Sequence, residues 1–383
     1  MSEKAILREE DDNIVLFRPF IPKNAIDAVS EVLESRWIGQ GPVVQKFEES
    51  FNVMFGGIET VSLSTNSATS ALHLAFILAG IKPGDKVLAP VMTCTATNIP
   101  LMYVGAHIEW IDINENNLNI SLEKIEKQID KDVKAIVIVH YGGYPVDLEH
   151  LSKLAKKYSI PIIQDAAHAL GAKINGQNIS EFGDYTIFSF QAIKHITTGD
   201  GGMLVIKNKS QENLLKKLRW FGIDREKKQA GIWENDIVDV GYKYQMNDIA
   251  ASLGIAALGE FSQELEKRKN NYKLYIEHLS KIKEVRVLNP LDDITFHNAY
   301  WLFIIEVERR EELIDFLREK KIESGLVHYR NDRYKIFEKF KSENSNMDKI
   351  ELKYLCLPFH SRIGVKEIKK ISEAVGEFFG ITA

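Results

Sequence analysis

The chain is 383 residues long and 45% hydrophobic, so it can bury a large core, and its length predicts one large domain with a smaller one attached. Its 49 lysines and arginines against 54 aspartates and glutamates leave a formal charge of -5. That balance excludes an electrostatic footprint for nucleic acid or an anionic membrane and points to small-molecule chemistry. Residues 1–13 are mostly charged and do not read as a secretory leader, and no apolar run is long enough to span a bilayer. The two distant cysteines, Cys94 and Cys356, read as reduced thiols. Together these features predict a soluble cytoplasmic protein.

From about Thr60 to Val205 short apolar β-branched runs alternate with amphipathic stretches, the pattern of repeated βα units on a mainly parallel sheet. The segment Ala68 to Leu78 has helical spacing, and strands are predicted at Lys86–Pro90 and His107–Ile111. A helix follows over Ser121 to Asp130, with Ser121 as N-cap, and a strand over Ala135–His140. Leu148 to Lys157 reads as a helix and Ile160–Gln164 as a strand. Beyond Val205 the character shifts to charged helices, at Ser210 to Trp220 and Asp248 to Tyr275, the second long enough to carry the chain into another domain. Strands at Val285–Leu288 and Tyr300–Glu308, a helix at Arg310–Lys320 and a last helix at Val365–Phe379 complete an α+β unit. The polar patch Lys341 to Asp348 reads as a loop. The predicted division is a large domain over 1–250 and a small one over 251–383.

Three stretches carry chemistry. In Thr186 to Val205, Lys194 follows the apolar run Ile187-Phe-Ser-Phe190 and precedes Thr197-Thr-Gly-Asp-Gly-Gly202. A surface lysine seldom has such flanks, and an amine held in a crowded setting has a lowered pKa and becomes a nucleophile towards an aldehyde. In Ile162 to Ala172, Asp165 stands at the carboxyl end of a buried parallel strand, where open α/β sheets bind ligands. A carboxylate there needs a cationic partner, such as a protonated pyridine nitrogen, unless it is only a helix cap. His168, three residues on, either supports Asp165 or packs structurally. In Ser64 to Ala75 a hydroxyl-rich turn opens a helix; its free amides and the hydroxyls of Thr69 and Ser70 suit an anion, although such residues also serve as simple caps.

An amine, a pyridinium partner and a phosphate cradle are the contacts pyridoxal 5'-phosphate requires, and here the chain resembles the DegT/DnrJ/EryC1/StrS sugar aminotransferase family, within the aspartate-aminotransferase-like fold type I. The likeness runs from Trp37-Ile-Gly-Gln-Gly-Pro42 through Gly84-Asp-Lys-Val-Leu-Ala-Pro90, Val139-His-Tyr-Gly-Gly143 and Trp220-Phe-Gly-Ile-Asp-Arg225 to Cys356-Leu-Pro-Phe-His360. It implies an α/β fold, with a large domain on a mainly parallel sheet, a smaller C-terminal α+β domain and a site between them completed by a second subunit of a homodimer. It implies that Lys194 anchors the cofactor covalently and shuttles the proton, that Asp165 meets the pyridine nitrogen, and that His168 lies near the cofactor hydroxyl. Ser189 would join Thr69 and Ser70 at the phosphate. Two positions depart from the family pattern: Lys243 stands where many members carry an asparagine reaching the neighbouring subunit's phosphate, and Cys94 where many place an aromatic ring against the cofactor.

The activity implied is a ping-pong transfer of an amino group from glutamate to the keto group of a nucleotide-linked sugar. A small phosphorylated ketone is a rival acceptor, and His328, Arg330 and Arg333 in Leu326 to Arg333 suit either substrate. In a related class of nucleotide-sugar dehydratases a histidine replaces the lysine; here Lys194 is present and His195 follows it, which disfavours dehydration. A sensor that only retains the cofactor would need a DNA-binding module, and neither an extra domain nor a basic patch is evident.

Overall fold

The computed structural model describes residues 13–381 apart from 235, 238 and 290–293. The apolar runs between 60 and 206 become β1 (Val61–Thr65), β2 (Lys86–Pro90), β3 (His107–Ile111), β4 (Val133–Val139) and β5 (Ile162–Asp165). After a short hairpin of β6 (Lys173–Ile174) and β7 (Gln177–Asn178) come β8 (Tyr185–Ser189) and β9 (Gly202–Ile206). Seven of these form one sheet in the order β1-β9-β8-β5-β4-β2-β3. Only β9 in that sheet runs antiparallel to its neighbours, and the other strands end at one edge.

Parallel strands covered by helices on both faces read as continuous apolar runs, and β4 shows why. Along it Ala135, Val137 and Val139 enter one apolar cluster, while Ile136 and Ile138 enter the cluster on the opposite face. The helix Ala68–Leu78 is apolar nearly all round and correspondingly buried; Ser67 caps it by accepting from the Ser70 amide. Helix Leu148–Tyr158 is amphipathic, opened by Asp147 and closed by Ser159 in the left-handed region at φ 55.

The helix Asp248–Leu279 spans 32 residues, about 48 Å at the usual rise. Its first half packs in the large core through Ala251, Ala257 and Phe261. Its second half supplies Tyr272, Tyr275 and Leu279 to a third cluster. That cluster lies under the sheet of β10 (Arg286–Val287), β12 (Phe303–Glu306) and β13 (Tyr354–Leu357), with helices Arg310–Glu319 and Val365–Phe378. Between them β11 (Phe296–His297) returns to pair with β6. A division at residue 250 is crossed in several places: by β11, by Ile14, which bridges Ile322 and joins the third cluster, and by Trp301, Phe337 and Met347, which enter the same cluster as β4's Val137.

One expectation fails. The patch Lys341 to Asp348 is not simply a loop, because helix Ser345–Ile350 starts inside it. Its first amides, of Asn346 and Met347, donate to Asp112 at 2.8 and 3.0 Å. The cap comes from a residue more than two hundred positions away, so the local polarity gave no sign of it.

Candidate active site

Asp165 is the last residue of β5 and lies at the sheet edge where the parallel strands end. One carboxylate oxygen accepts from the Ala167 amide at 3.0 Å and the other from the Thr97 hydroxyl at 2.6 Å. Burial pushes the carboxyl above its ordinary range, against the opposing pull of the Thr97 and Ala167 hydrogen bonds and the Lys194 charge. A cation placed here would stabilise the ionised form.

Lys194 sits in the turn after β8, its amide bonded to the Gln191 carbonyl at 2.9 Å. The residue is 8% exposed, and Nζ lies 3.7 Å from the centre of the Trp301 ring. Burial pulls its pKa from 10.5 to about 8, with Cys94 and Asp165 pulling the other way. Roughly a tenth of the amine is then neutral at pH 7, enough to attack an aldehyde. The adjacent His195 is a packing residue: its Nε2 meets the Ala299 carbonyl at 2.6 Å.

His168 stacks on Trp301 at 3.8 Å and 19° and on His328 at 5.2 Å and 3°. The two histidine Nε2 atoms are 3.3 Å apart, so one donates to the other. Burial, reinforced by the Lys194 charge, holds both rings neutral, His328 at about 3. The Nδ1 of His168 is buried with no partner among the described residues, which leaves it a polar contact to give. Gly142 and Gly143 allow this stack to form. The Trp301 amide donates to the Gly142 carbonyl at 3.0 Å, and a Cβ on Gly143, at φ 98, would meet the His168 carbonyl at 2.9 Å.

The anion cradle gathers at the start of helix Ala68–Leu78. The first-turn amides of Ala68 and Thr69 have no intrahelical acceptor, and Thr69 is half-buried beside them. The Ser70 hydroxyl donates to Asn66 at 2.7 Å and lies 2.9 Å from that of Ser67. Ser189 ends β8 and pairs in register with Gly202, where a Cβ would sit 2.6 Å from the Ala68 amide nitrogen. Only glycine lets β9 approach the helix start so closely. Lys243 reaches the rim: its carbonyl accepts from Asn66 at 3.2 Å, while its exposed ammonium lies 5.4 Å from the Phe221 ring.

A cavity of about 340 Å³ is lined by Thr93, Cys94, Thr95, His328, Tyr329 and Tyr334, with Leu326 and Val327. Cys94 is thus at the mouth, directly before helix Thr95–Tyr103. Arg330 does not join it. Its guanidinium is 2% exposed and bound by Asp332, Asp348 and Glu351 at 2.7, 2.5 and 2.8 Å, so it is turned to carboxylates of its own chain and holds the fold. Arg333, half exposed, pairs more loosely with Asp348 and Glu351. A larger groove of about 1050 Å³ runs past Trp37, Glu48, Arg219 and Trp220 but contains none of Lys194, Asp165 or His168. The smaller cavity is not lined by these three residues either, but it adjoins them through His328, whose Nε2 lies 3.3 Å from that of His168.

Sequence reasoning missed Thr97 and Trp301. Thr97 had a signal in its spacing of one helical turn from Thr93, to which its hydroxyl bonds at 2.6 Å. Trp301 had none, because it lies in an apolar run that reads as a strand.

The model of the DegT/DnrJ/EryC1/StrS aminotransferase family matches residues 19–376. The chain is 34% identical to a Campylobacter jejuni UDP-4-amino-4,6-dideoxy-N-acetyl-beta-L-altrosamine transaminase, over 93% of this chain and 94% of that protein. It is 31% identical to a Shewanella sediminis UDP-4-amino-4-deoxy-L-arabinose--oxoglutarate aminotransferase, over 95% and 98% respectively. Among solved structures, the Streptococcus pneumoniae protein Spr1654 in its PLP form superposes with a TM-score of 0.87 at 27% identity, over 94% of this chain and 97% of that one. The same protein is also known in a PMP form.

Proposed function

Because the chain belongs to the DegT/DnrJ/EryC1/StrS aminotransferase family, we propose that it moves an amino group from glutamate to the keto group of a nucleotide-linked keto-deoxy sugar, as a homodimer in the cytoplasm. Pyridoxal phosphate fits the residues at hand: an amine with a depressed pKa, a buried carboxylate in want of a cation, a histidine with an orphaned Nδ1 and a helix start that only glycine lets β9 approach. When bound, the cofactor supplies an electron sink for charge developing at the amino-acid α-carbon.

The chain's own residues do the rest. Lys194 would hold the cofactor, and its free amine would take the α-proton of glutamate and, with the second substrate, run the same proton transfer in reverse. Asp165 keeps a ring-nitrogen proton in place. His168, neutral and fixed between Trp301 and His328, offers Nδ1 to the cofactor hydroxyl. Thr69, Ser70 and Ser189 with the helix amides hold the phosphate. Cys94 and His328 line the cavity through which the keto sugar enters. Lys243, exposed at the cradle's rim, reaches the phosphate of the neighbouring subunit as a point charge. Among the described residues no helix is long and apolar enough to cross a membrane.

The single observation that carries this reading is the buried Lys194 amine, coupled electrostatically to the buried Asp165 carboxylate. Its test is turnover: with glutamate as donor, UDP-, GDP- and dTDP-linked 4-keto-6-deoxy sugars are compared with small keto-phosphates by 2-oxoglutarate release. Turnover confined to nucleotide-linked sugars is expected, and turnover confined to the keto-phosphates would overturn the acceptor.

A further inference from the structure

The carboxylate of Asp165 is held by a relay. Its oxygen accepts from Thr97 at 2.6 Å, and the Thr97 hydroxyl lies 2.6 Å from that of Thr93. A hydroxyl has one proton. If Thr97 gives its proton to Asp165, Thr97 must accept from Thr93, so the direction of both bonds is set by the carboxylate. Thr97 is fully buried and Thr93 is 1% exposed, so no bulk water can replace either donor. Thr93 is itself fixed from the C-terminal unit, for its carbonyl accepts from the Asn331 amide at 2.8 Å. Asn331 is in turn held by Asn98 at 2.9 Å, and its backbone amide meets the Val91 carbonyl at 2.7 Å.

We propose that Thr97 is a positioning residue: fed by Thr93, it donates to Asp165 and thereby sets how strongly Asp165 attracts the proton of a ring nitrogen set against it. With the donor present the carboxylate stays anionic and leaves that proton on the ring. Without it Asp165 becomes more basic, draws the proton towards itself and weakens the charge on the ring. The other titratable groups facing Asp165 are independent of the relay. Lys194 rests on Trp301, His140 bonds Gln164 and the Val146 amide through its two ring nitrogens, and His168 stacks between Trp301 and His328.

The inference rests on the reading of Asp165 as the partner of a pyridine nitrogen, and the experiment separates the two. Cofactor-free wild type, Thr97→Val, Thr97→Ser and Thr93→Val are titrated with pyridoxal phosphate, and the violet absorption of each loaded protein is followed against pH. A carboxylate that has lost its donor predicts that the cofactor affinity of Thr97→Val departs from wild type by roughly tenfold and that the variant keeps the violet band to a pH about one unit higher. Thr97→Ser retains the donor and should match wild type, while Thr93→Val should shift in the same direction by less. Wild-type affinity and pH response in Thr97→Val would overturn the proposal, as would a Thr97→Ser shift equal to that of valine. Should Thr97→Val not fold, Thr93→Val decides: a shift supports the relay and its absence overturns it. Failure of wild type itself to bind the cofactor would instead overturn the reading of the site.

Discussion

Two buried cations in this molecule are treated in opposite ways. Arg330 is bound by three carboxylates, and its guanidinium is held firmly in its charged form. Lys194 rests on the face of Trp301, has no ion pair among the described residues, and has its pKa pulled to about 8. A buried charge that is fully paired serves architecture, because its protonation state cannot change at any ordinary pH. One left short of partners stores free energy in its own protonation, and that is the property a nucleophile and proton carrier needs. Asp165 belongs with Lys194: burial raises it, and the countercharge it lacks is what a ligand would bring.

The largest way to break the contrast is Lys194→Ala, which removes both anchor and proton carrier. It should cost at least a thousandfold in 2-oxoglutarate formation from glutamate while leaving the fold intact. Arg330→Met strikes the other side, leaving the buried Asp332 and the half-buried Glu351 without their cation. A loss of about 3–5 kcal/mol in urea unfolding is expected, against about 0.5 kcal/mol or less for the half-exposed Arg333→Ala.

Lys194→Met sharpens the comparison through pH. The native amine titrates near 8 and the unfolded one near 10.5, so the unfolded chain holds its proton more tightly. Below pH 8 the native cofactor-free protein carries the full penalty, and above pH 10.5 it carries none. Removing the amine should therefore stabilise the cofactor-free protein by about 3 kcal/mol at pH 7, a gain that shrinks as pH rises through this window. A gain that did not vary with pH would contradict it. Trp301→Leu should have a smaller effect than Lys194→Met. Stripping the ring face from beneath Nζ should lower the lysine pKa further by about one unit, read from the pH dependence of cofactor uptake.

How much of this the sequence showed follows from range. Lys194, Asp165 and the Ser67–Ser70 turn lie within local patterns of apolar strand and small-residue turn, so they could be singled out as candidates, with Asp165 alone read as lying at the sheet edge. The strands Lys86–Pro90 and His107–Ile111 were legible for the same reason, since buried parallel strands announce themselves as apolar runs. Arg330 was misread as a substrate group because two of its carboxylates, Asp348 and Glu351, lie 18 and 21 residues on and are brought to it only by helix Ser345–Ile350. Trp301 was invisible because what seats it over Lys194 is a bond to Gly142, across more than 150 residues. Long-range closure of this kind leaves no local period to read.

The central claim, that Lys194 and Asp165 form a site for amino transfer, is tested most directly by one half-reaction. The protein is loaded with pyridoxal phosphate and mixed with glutamate alone, while violet absorption and 2-oxoglutarate are followed together. The account predicts that the violet band disappears as one 2-oxoglutarate forms per site. Persistence of the band with no 2-oxoglutarate formed would contradict it.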